Sequence, residues 1–497
     1  MGVTWIMDSR DTECCDARVE VYYDRTLRTN LVFRNGWIPN YVARSLGSSW
    51  FLSNAAGGWQ ILSDEVFRGL SSAALAEPLF RTLERHHLLL TETNHAGYWH
   101  AYREWTTPHF RHPVHHIIIS TLRCNLACTY CHAAIVPASA GREHDLDDQT
   151  ADAILQFALN SRARVQSFEF QGGESLLNRE LLRSFIPRLR KAYMSAGKDV
   201  YVSVQTNAVL LNDRWMEFFK QHDVSVSTSL DGPPEVHDHQ RIFATTCGST
   251  EPAGSRGTYS IVATNANKYD LPILPTITRL SLRFWRQIID QQLERSQRVV
   301  AFQPLYPINS AQKNWSEVGI SESEFLESYD TVMRYLKSLW KPGYYPLERR
   351  FELALRKLVL ARDVDFADFS SPCGMVHSQI VYHTNGDVYT CDEGRDFPEF
   401  RLGNVKTDSY EEIVFGQKMR QLKTLSIRSD PECQSCAYRP FCSACPVHER
   451  AVGGRLTARH AGTLGCRMTL YIFDTLLGWI KDDPPILRAL AAYHGIS

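Results

Sequence analysis

Between residues 114 and about 340 the chain alternates short apolar runs with longer amphipathic stretches. This pattern predicts strands near 115–122, 165–171, 200–206, 224–230, 273–279 and 298–305, and helices near 147–161, 178–196, 212–222, 282–297 and 321–340. The second helix shows the logic. Leu181, Leu182, Phe185 and Leu189 recur at helical spacing, Asn178 stands at its N-cap and Gly197 ends it. Repeated strand–helix units require a parallel sheet, so the fold class is α/β.

On either side the pattern changes. Tyr41–Ser45, Trp50–Ser53 and Gly57–Leu62 have period-two apolar runs separated by Asn/Gly turns, which predicts a small antiparallel sheet. Ser63 is the expected N-cap of a helix with Asp64 and Glu65 in its first turn, and Pro78–His87 lines up Leu79, Phe80 and Leu83. Thr245–Gly257 is rich in Gly, Ser and Thr and reads as a loop. Tyr345–Ala361 and Tyr410–Leu425 read as amphipathic connecting helices. The expected divisions are residues 1–112, 113–342, 343–470 and a helical tail at 471–497.

With 497 residues and 44% hydrophobic composition there is enough apolar surface for several cores. A net charge of −1 gives no basic surface for nucleic acid. Met1–Asp16 lacks the apolar core of a secretory signal, and no apolar run approaches the ~18 residues of a membrane span, so the expected location is cytoplasmic. In that compartment thirteen cysteines point to metal or cluster ligation before disulfides. Ten of them fall between 124 and 131 or between 373 and 466. Cys14, Cys15 and Cys247 stand apart and read as structural or incidental.

The first group is Cys124-Asn-Leu-Ala-Cys128-Thr-Tyr-Cys131, directly after the apolar run His116–Leu122. Three thiolates on one short loop can hold three corners of a [4Fe–4S] cube and leave one iron open. A zinc loop with His132 as fourth ligand is the alternative. The spacing and preceding strand resemble the radical S-adenosylmethionine (radical SAM) enzymes. That resemblance implies an open, partial (β/α)6 TIM-like barrel with its site at the C-terminal strand ends. It also implies SAM on the open iron, cleaved to a 5′-deoxyadenosyl radical. Gln171-Gly172-Gly173-Glu174 resembles the family's Gly-Gly-Glu-Pro loop, with Ser175 in place of proline. Paired glycines let backbone approach a ligand, and Glu174 is expected to accept from the SAM ammonium. The same resemblance assigns Asn207, Ser229 and Asp231 to the ribose and carboxylate of SAM, and Tyr130 to the adenine.

The second group, Cys373, Gly386-x4-Cys391, Cys433-x2-Cys436-x5-Cys442-x2-Cys445 and Cys466, resembles the SPASM extension, which carries two auxiliary [4Fe–4S] clusters. By that resemblance Cys433, Cys436, Cys442 and Cys466 hold one cluster, and Cys373, Cys391 and Cys445 the other. The fourth ligand of the latter is open between His377, His448, a substrate atom and solvent. Three [4Fe–4S] clusters and SAM are therefore the implied cofactors. A zinc ribbon built on the two C-x2-C pairs is the alternative, and it leaves Cys373, Cys391 and Cys466 without a role. Asp392, beside Cys391, is the expected catalytic carboxylate, with a pKa raised towards useful base strength by its apolar surroundings. Arg241, near His237 and Asp238 beyond the fourth strand, is expected to meet a SAM or peptide carboxylate.

Within the superfamily, Thr121–Cys124, Phe168–Asn178, Ser227–Pro233 and Cys391–Arg395 resemble the maturases of the His-Xaa-Ser peptide system. The expected function is hydrogen abstraction from a side chain of a ribosomally made precursor peptide, giving an oxidative crosslink. The N-terminal strands and helices resemble a winged-helix module that docks a leader peptide; a packing extension without a ligand is the alternative. A flavodoxin or ferredoxin is the expected external electron donor. The alternative substrates are a sulfatase residue oxidised to formylglycine, or a peptide epimerised.

Overall fold

A computed structural model of the chain describes residues 37–70, 75–106, 113–244, 257–295, 297–364, 366–426, 430–456 and 459–496. Cys14, Cys15, Cys247 and most of the loop expected at 245–257 lie outside the described residues. The chain divides into two compact units, 1–103 and 104–497.

In the first unit, β1 (Val42–Ser45), β2 (Ser49–Ser53) and β3 (Trp59–Ser63) form the expected antiparallel sheet, with Phe51 opposite Ile61 and Arg44 opposite Phe51. Ser63 caps α1 (Asp64–Gly69) by accepting from the Val66 amide. Pro78 enters α2 (Glu77–Arg85) in its first turn, where its missing N–H costs no helical bond. Leu52, Leu62, Leu70, Leu83, Leu88 and Leu89 meet in the core of this unit.

The second unit is built on seven strands. In chain order these begin with β4 (His115–Thr121), then α3 (Asp148–Leu159), β5 (Val165–Gly172), α4 (Arg179–Ser195), β6 (Asp199–Thr206), α5 (Asp213–Gln221) and β7 (Val224–Thr228). After them come α6 (Pro234–Gln240), α7 (Trp285–Glu294), α8 (Glu322–Ser338) and α9 (Arg349–Leu360). The sheet is completed by β8 (Gln379–Tyr382), β9 (Asp387–Tyr389) and β10 (Arg401–Asn404). The strand order is β7-β6-β5-β4-β8-β9-β10. From β7 to β8 every pair is parallel, and β8-β9-β10 is an antiparallel meander. Phe168, Phe170, Val202 and Val204 point from the sheet into a core shared with Leu181, Leu182, Phe185 and Leu189 of α4. Those are the positions whose helical spacing announced the helix.

Four strands and five helices stand where the pattern placed them, within a few residues. The strands expected at 273–279 and 298–305 are mostly irregular: Ile273 bridges Thr228, Ile277 bridges Pro304, and only Val299–Val300 is a strand. Pro272, Pro275 and Pro304 cannot donate to a ladder, which explains the loss of regular pairing. The barrel therefore closes only partway. Asn178 precedes α4 but does not cap it; its amide donates to the carbonyls of Ser120 and Leu146, tying β4 and the next connection together. The helix expected at 410–425 is two, α10 (Tyr410–Val414) and α11 (Gln417–Ser426). Gly416, between them, packs where a Cβ would lie 1.8 Å from the Glu412 carbonyl oxygen.

β4 and β8 meet through one buried histidine. His116 stacks between Phe168 and Tyr382, with Nδ1 2.8 Å from the Tyr382 hydroxyl and Nε2 2.8 Å from the Gln166 amide oxygen. Burial pulls its pKa down to about 3 despite the Gln166 hydrogen bond.

Candidate active site

At the C-terminal end of β4 the chain enters the cluster loop, and the fold braces that loop from several sides. Arg123 grips Asp145 through two guanidinium nitrogens at 2.8 and 2.7 Å, and Thr121 donates to the same carboxylate at 2.5 Å. The amides of Ala127 and Thr129 donate to the carbonyls of Ile242 and Gln240, at and beyond the end of α6. Asn314 donates to the carbonyl of Thr129 at 2.7 Å. Gly172 and Gly173 lie against the loop's backbone so closely that a Cβ on either would stand 2.3 Å from the Thr121 or Arg123 carbonyl oxygen. The two glycines are needed for strand-to-loop contact before any ligand is considered.

A cavity of about 860 Å³ opens above these strand ends. Cys124, Cys128 and Cys131 line it together with Cys373, Cys391 and Cys445, and Gly172, Gly173, Asn207 and Ser229 line it too. Among the described residues all ten cysteines of the two groups are free thiols. The donor sets fit iron–sulfur clusters. Sulfur ligands converge on one space, and backbone N–H groups already point at them: Leu126 N lies 3.4 Å from Cys124 Sγ and Gly394 N 3.3 Å from Cys391 Sγ, the kind of contact that steadies cluster thiolates. Burial pushes the Cys124 and Cys391 thiols well up, so deprotonation awaits a metal. In the other auxiliary set Cys433 and Cys436 share one turn. Two further helices follow, α12 (Pro446–Gly453) and α13 (Leu464–Asp482). Cys466, in the first turn of α13, feels the charges of Cys442 and Cys436.

Several expected roles look different in three dimensions. Glu174 is fully buried and its carboxylate accepts from Thr206 Oγ1 at 2.6 Å, the Asn207 amide at 2.8 Å and the Leu176 amide at 3.0 Å. It latches the Gly-Gly loop to the end of β6. Both of its oxygens are engaged in that latch, which fixes the carboxylate at the strand end beside the Gly-Gly pair. Asp231 is also buried, held by Tyr130 at 2.5 Å, Arg241 at 2.9 Å and Gln240 at 3.2 Å. Burial raises its carboxyl, and Arg241 and His237 outweigh that, leaving it below the usual range. Arg241 touches the cavity with its guanidinium 5.4 Å above the Tyr130 ring, yet its charge is committed to Asp231. Tyr130, Asp231 and Arg241 are thus one brace under the cluster loop. His237 Nδ1 accepts from the Asp231 amide, and Asp238 accepts from the Tyr259 amide. Asn207 lines the cavity and donates to Asn125 at 2.8 Å, on the cluster loop itself.

Asp392 lines the cavity, but the expected rise in its pKa is not found. Burial acts upward, while Arg395 at 2.5 Å and His132 at 2.9 Å hold the carboxyl far below the usual carboxylate range. His132 is the residue after Cys131, and Asp392 the residue after Cys391, so this pair ties the two cysteine groups together. The Nε2 of His132 is taken up by Asp392. Sequence reasoning missed Arg395, Glu393, Tyr306 and the His132–Asp392 link. The run Cys391-Asp-Glu-Gly-Arg395 was visible as a motif; its partner 260 residues upstream was not.

Comparison with known proteins agrees with this geometry. Residues 118–248 match the model of the radical SAM superfamily, and residues 373–446 match the SPASM iron–sulfur cluster-binding domain. The chain is 27% identical over 328 residues to a cysteine-type anaerobic sulfatase-maturating enzyme of Clostridium novyi, covering 64% of this chain and 83% of that one. It is 26% identical over 361 residues to a serine-type anaerobic sulfatase-maturating enzyme of Klebsiella aerogenes, covering 68% and 81%. In fold it is similar to the solved structure of native anSMEcpe with bound AdoMet and Cp18Cys peptide, with a TM-score of 0.60, 21% identity, and 78% of this chain and 100% of that one covered. No helix among the described residues is long and apolar enough to cross a membrane. Sequence motifs, strand-end geometry and these matches converge: residues 118–248 carry a radical SAM domain and residues 373–446 an SPASM domain on an α/β fold, the chain is an enzyme, and the cofactors that these two domains imply are [4Fe–4S] clusters and S-adenosylmethionine.

Proposed function

We propose that the chain is a maturase that oxidises a side chain of a polypeptide substrate. The observation that carries this reading is the shared cavity, with two groups of cysteines on its walls and the Asp392 carboxylate between them. When bound, the cluster on Cys124, Cys128 and Cys131 and its SAM supply a 5′-deoxyadenosyl radical that abstracts hydrogen from an unactivated carbon. The chain's own residues do the remaining work. Glu174 and the two glycines fix the strand end that faces the cofactor, and Asn207 and Ser229 offer polar contacts on the same wall. Asp392, kept anionic by Arg395 and His132, holds a fixed negative charge at the cavity wall and ties the two cysteine loops together. Removing two electrons from a side chain needs an acceptor, and the auxiliary cysteines offer it a place in the wall. Three clusters, fed by a flavodoxin or ferredoxin in the cytoplasm, complete the reading.

The similarity to cysteine- and serine-type sulfatase-maturating enzymes makes a cysteinyl or seryl residue of a protein the first substrate to test. A second reading keeps the precursor peptide of the expected His-Xaa-Ser type and an oxidative crosslink. It draws on motif runs such as Phe168–Asn178 and Cys391–Arg395, and in it the separate N-terminal unit would be the part that holds a leader. The experiment is anaerobic incubation of the reconstituted enzyme with SAM and reductant, with mass spectrometry of a sulfatase-derived Cys/Ser peptide and of precursor peptides encoded beside the gene. Formylglycine in the first supports sulfatase-type maturation. Loss of a hydrogen pair confined to the second supports crosslinking, and SAM cleavage with neither peptide altered would reject both.

A further inference from the structure

The auxiliary site of Cys373, Cys391 and Cys445 has three thiols, and the chain supplies a fourth donor beside them. Cys445 is the N-cap residue of α12, and His448 lies in the first turn of the same helix, three residues on. Cys445 lies beside both the Cys373 thiol and the His448 ring. Ligand atoms of Glu393, Cys445 and His448 lie within 4.8 Å of one another. His448 is also the best fixed imidazole of the cavity. Its ring stacks on Tyr306 with centroids 3.5 Å apart and planes 15° apart, and its Nε2 is hydrogen-bonded to the Glu393 carboxylate. A carboxylate hydrogen-bonded to an imidazole is the usual partner of a metal-bound histidine, because it sets ring orientation and raises ligand basicity. The other histidine near Cys373, His377, has its Nε2 facing the Pro372 carbonyl at 3.2 Å.

We propose that His448 is the fourth protein ligand of the cluster held by Cys373, Cys391 and Cys445, with Glu393 as its outer-sphere acceptor and Tyr306 as the plate that fixes its ring. This rests on the reading that these three cysteines hold an auxiliary cluster. It has a consequence for the site: the auxiliary cluster has no iron left for a substrate atom, so of the two clusters facing the cavity only the one on Cys124, Cys128 and Cys131 keeps an open iron. Replacing a thiolate by a neutral imidazole also raises a cluster's reduction potential, as in centres where histidine replaces cysteine.

The test uses the full chain with Cys124, Cys128 and Cys131 all changed to Ala, so that only auxiliary clusters remain, reconstituted and reduced. Pulsed EPR on protein grown with ¹⁵N-histidine reads the ligand directly. A strong histidine nitrogen coupling that disappears in His448→Ala and in His448→Cys is the expected result, with His448→Cys keeping its iron and shifting to a lower potential. Glu393→Gln is expected to keep the coupling. No nitrogen coupling, a coupling that survives both His448 variants, or a coupling lost in Glu393→Gln while iron binding is unchanged in His448→Cys would overturn the assignment. Because the readout needs neither SAM nor substrate, a failed substrate assay leaves it standing.

Discussion

The two cysteine groups are built in opposite ways. Around Cys124, Cys128 and Cys131 several supporting residues, Glu174 and Asp231 among them, lie just beyond the ends of regular parallel strands. Around Cys373, Cys391 and Cys445 lie short strands, 3₁₀ turns, the N-terminus of α12 and the side chains of Met419 and Leu422 from α11, and the support is side chain on side chain. The first is a scaffold with a loop laid on it; the second is a knot drawn tight by contacts between distant segments. A site on strand ends should keep its iron when one brace is lost, even at a cost in stability, whereas a knotted site should lose iron with each member, and single substitutions in the two regions test that contrast.

The largest effect is expected from Cys128→Ala, which should abolish SAM cleavage and remove about four of about twelve irons while leaving the auxiliary clusters in place. Loss of all iron would show that the two regions do not assemble independently. Asp392→Asn should lower substrate oxidation with SAM cleavage retained, because it removes the anion that pairs Arg395 and His132 at the cavity wall. Equal loss of both activities would make Asp392 a tether between the loops and nothing more. Asp231→Asn removes one partner of a buried ion pair beneath the cluster loop, where Arg241 and Asp231 are 9% and 0% exposed, and should cost about 3–5 kcal/mol in urea unfolding. Gly394→Ala places a methyl 3.0 Å from Cys391 Sγ and should cost about 1–3 kcal/mol while lowering auxiliary iron content. An unchanged iron count there would show the auxiliary site to be looser than its packing implies.

The smallest effect concerns the seam between the two regions. His116 has a folded-state pKa near 3, well below that of an unfolded histidine, so the unfolded chain takes up the proton first as pH falls. Its contribution to stability is complete above about pH 6.5 and declines by at most about 1.4 kcal/mol per pH unit as pH falls from there toward the folded value. Unfolding midpoints at neutral pH and at pH 5.5 should differ less in His116→Gln than in the native sequence; equal slopes would locate the acid sensitivity elsewhere.

The difference between the regions also governs what could be read in advance. In the barrel, Phe168 and Phe170 follow the period of a strand and Leu181, Leu182 and Phe185 that of a helix, so apolar spacing alone located the layers that carry the cluster loop. Where Pro272, Pro275 and Pro304 interrupt the ladder, apolar spacing overstated the strands, because periodicity records burial and says nothing about hydrogen-bond donors. Cysteine spacing identified the ligand groups because thiols of one cluster must lie close along the chain or be brought to a turn.

The sequence by itself determined the parallel α/β layers, the cluster loop with its glycine pair and the grouping of ten cysteines, since each depends on residues near one another along the chain. Only the tertiary structure decided that Glu174 latches β6, that Asp231 and Arg241 neutralise each other, that His132 reaches Asp392 and that His448 stands beside Cys445 and Cys373. A carboxylate or imidazole carries the same letter whether it faces a ligand or an opposite charge. Which one it faces is fixed by segments folding together from hundreds of residues apart, and that proximity sets both its charge and its use.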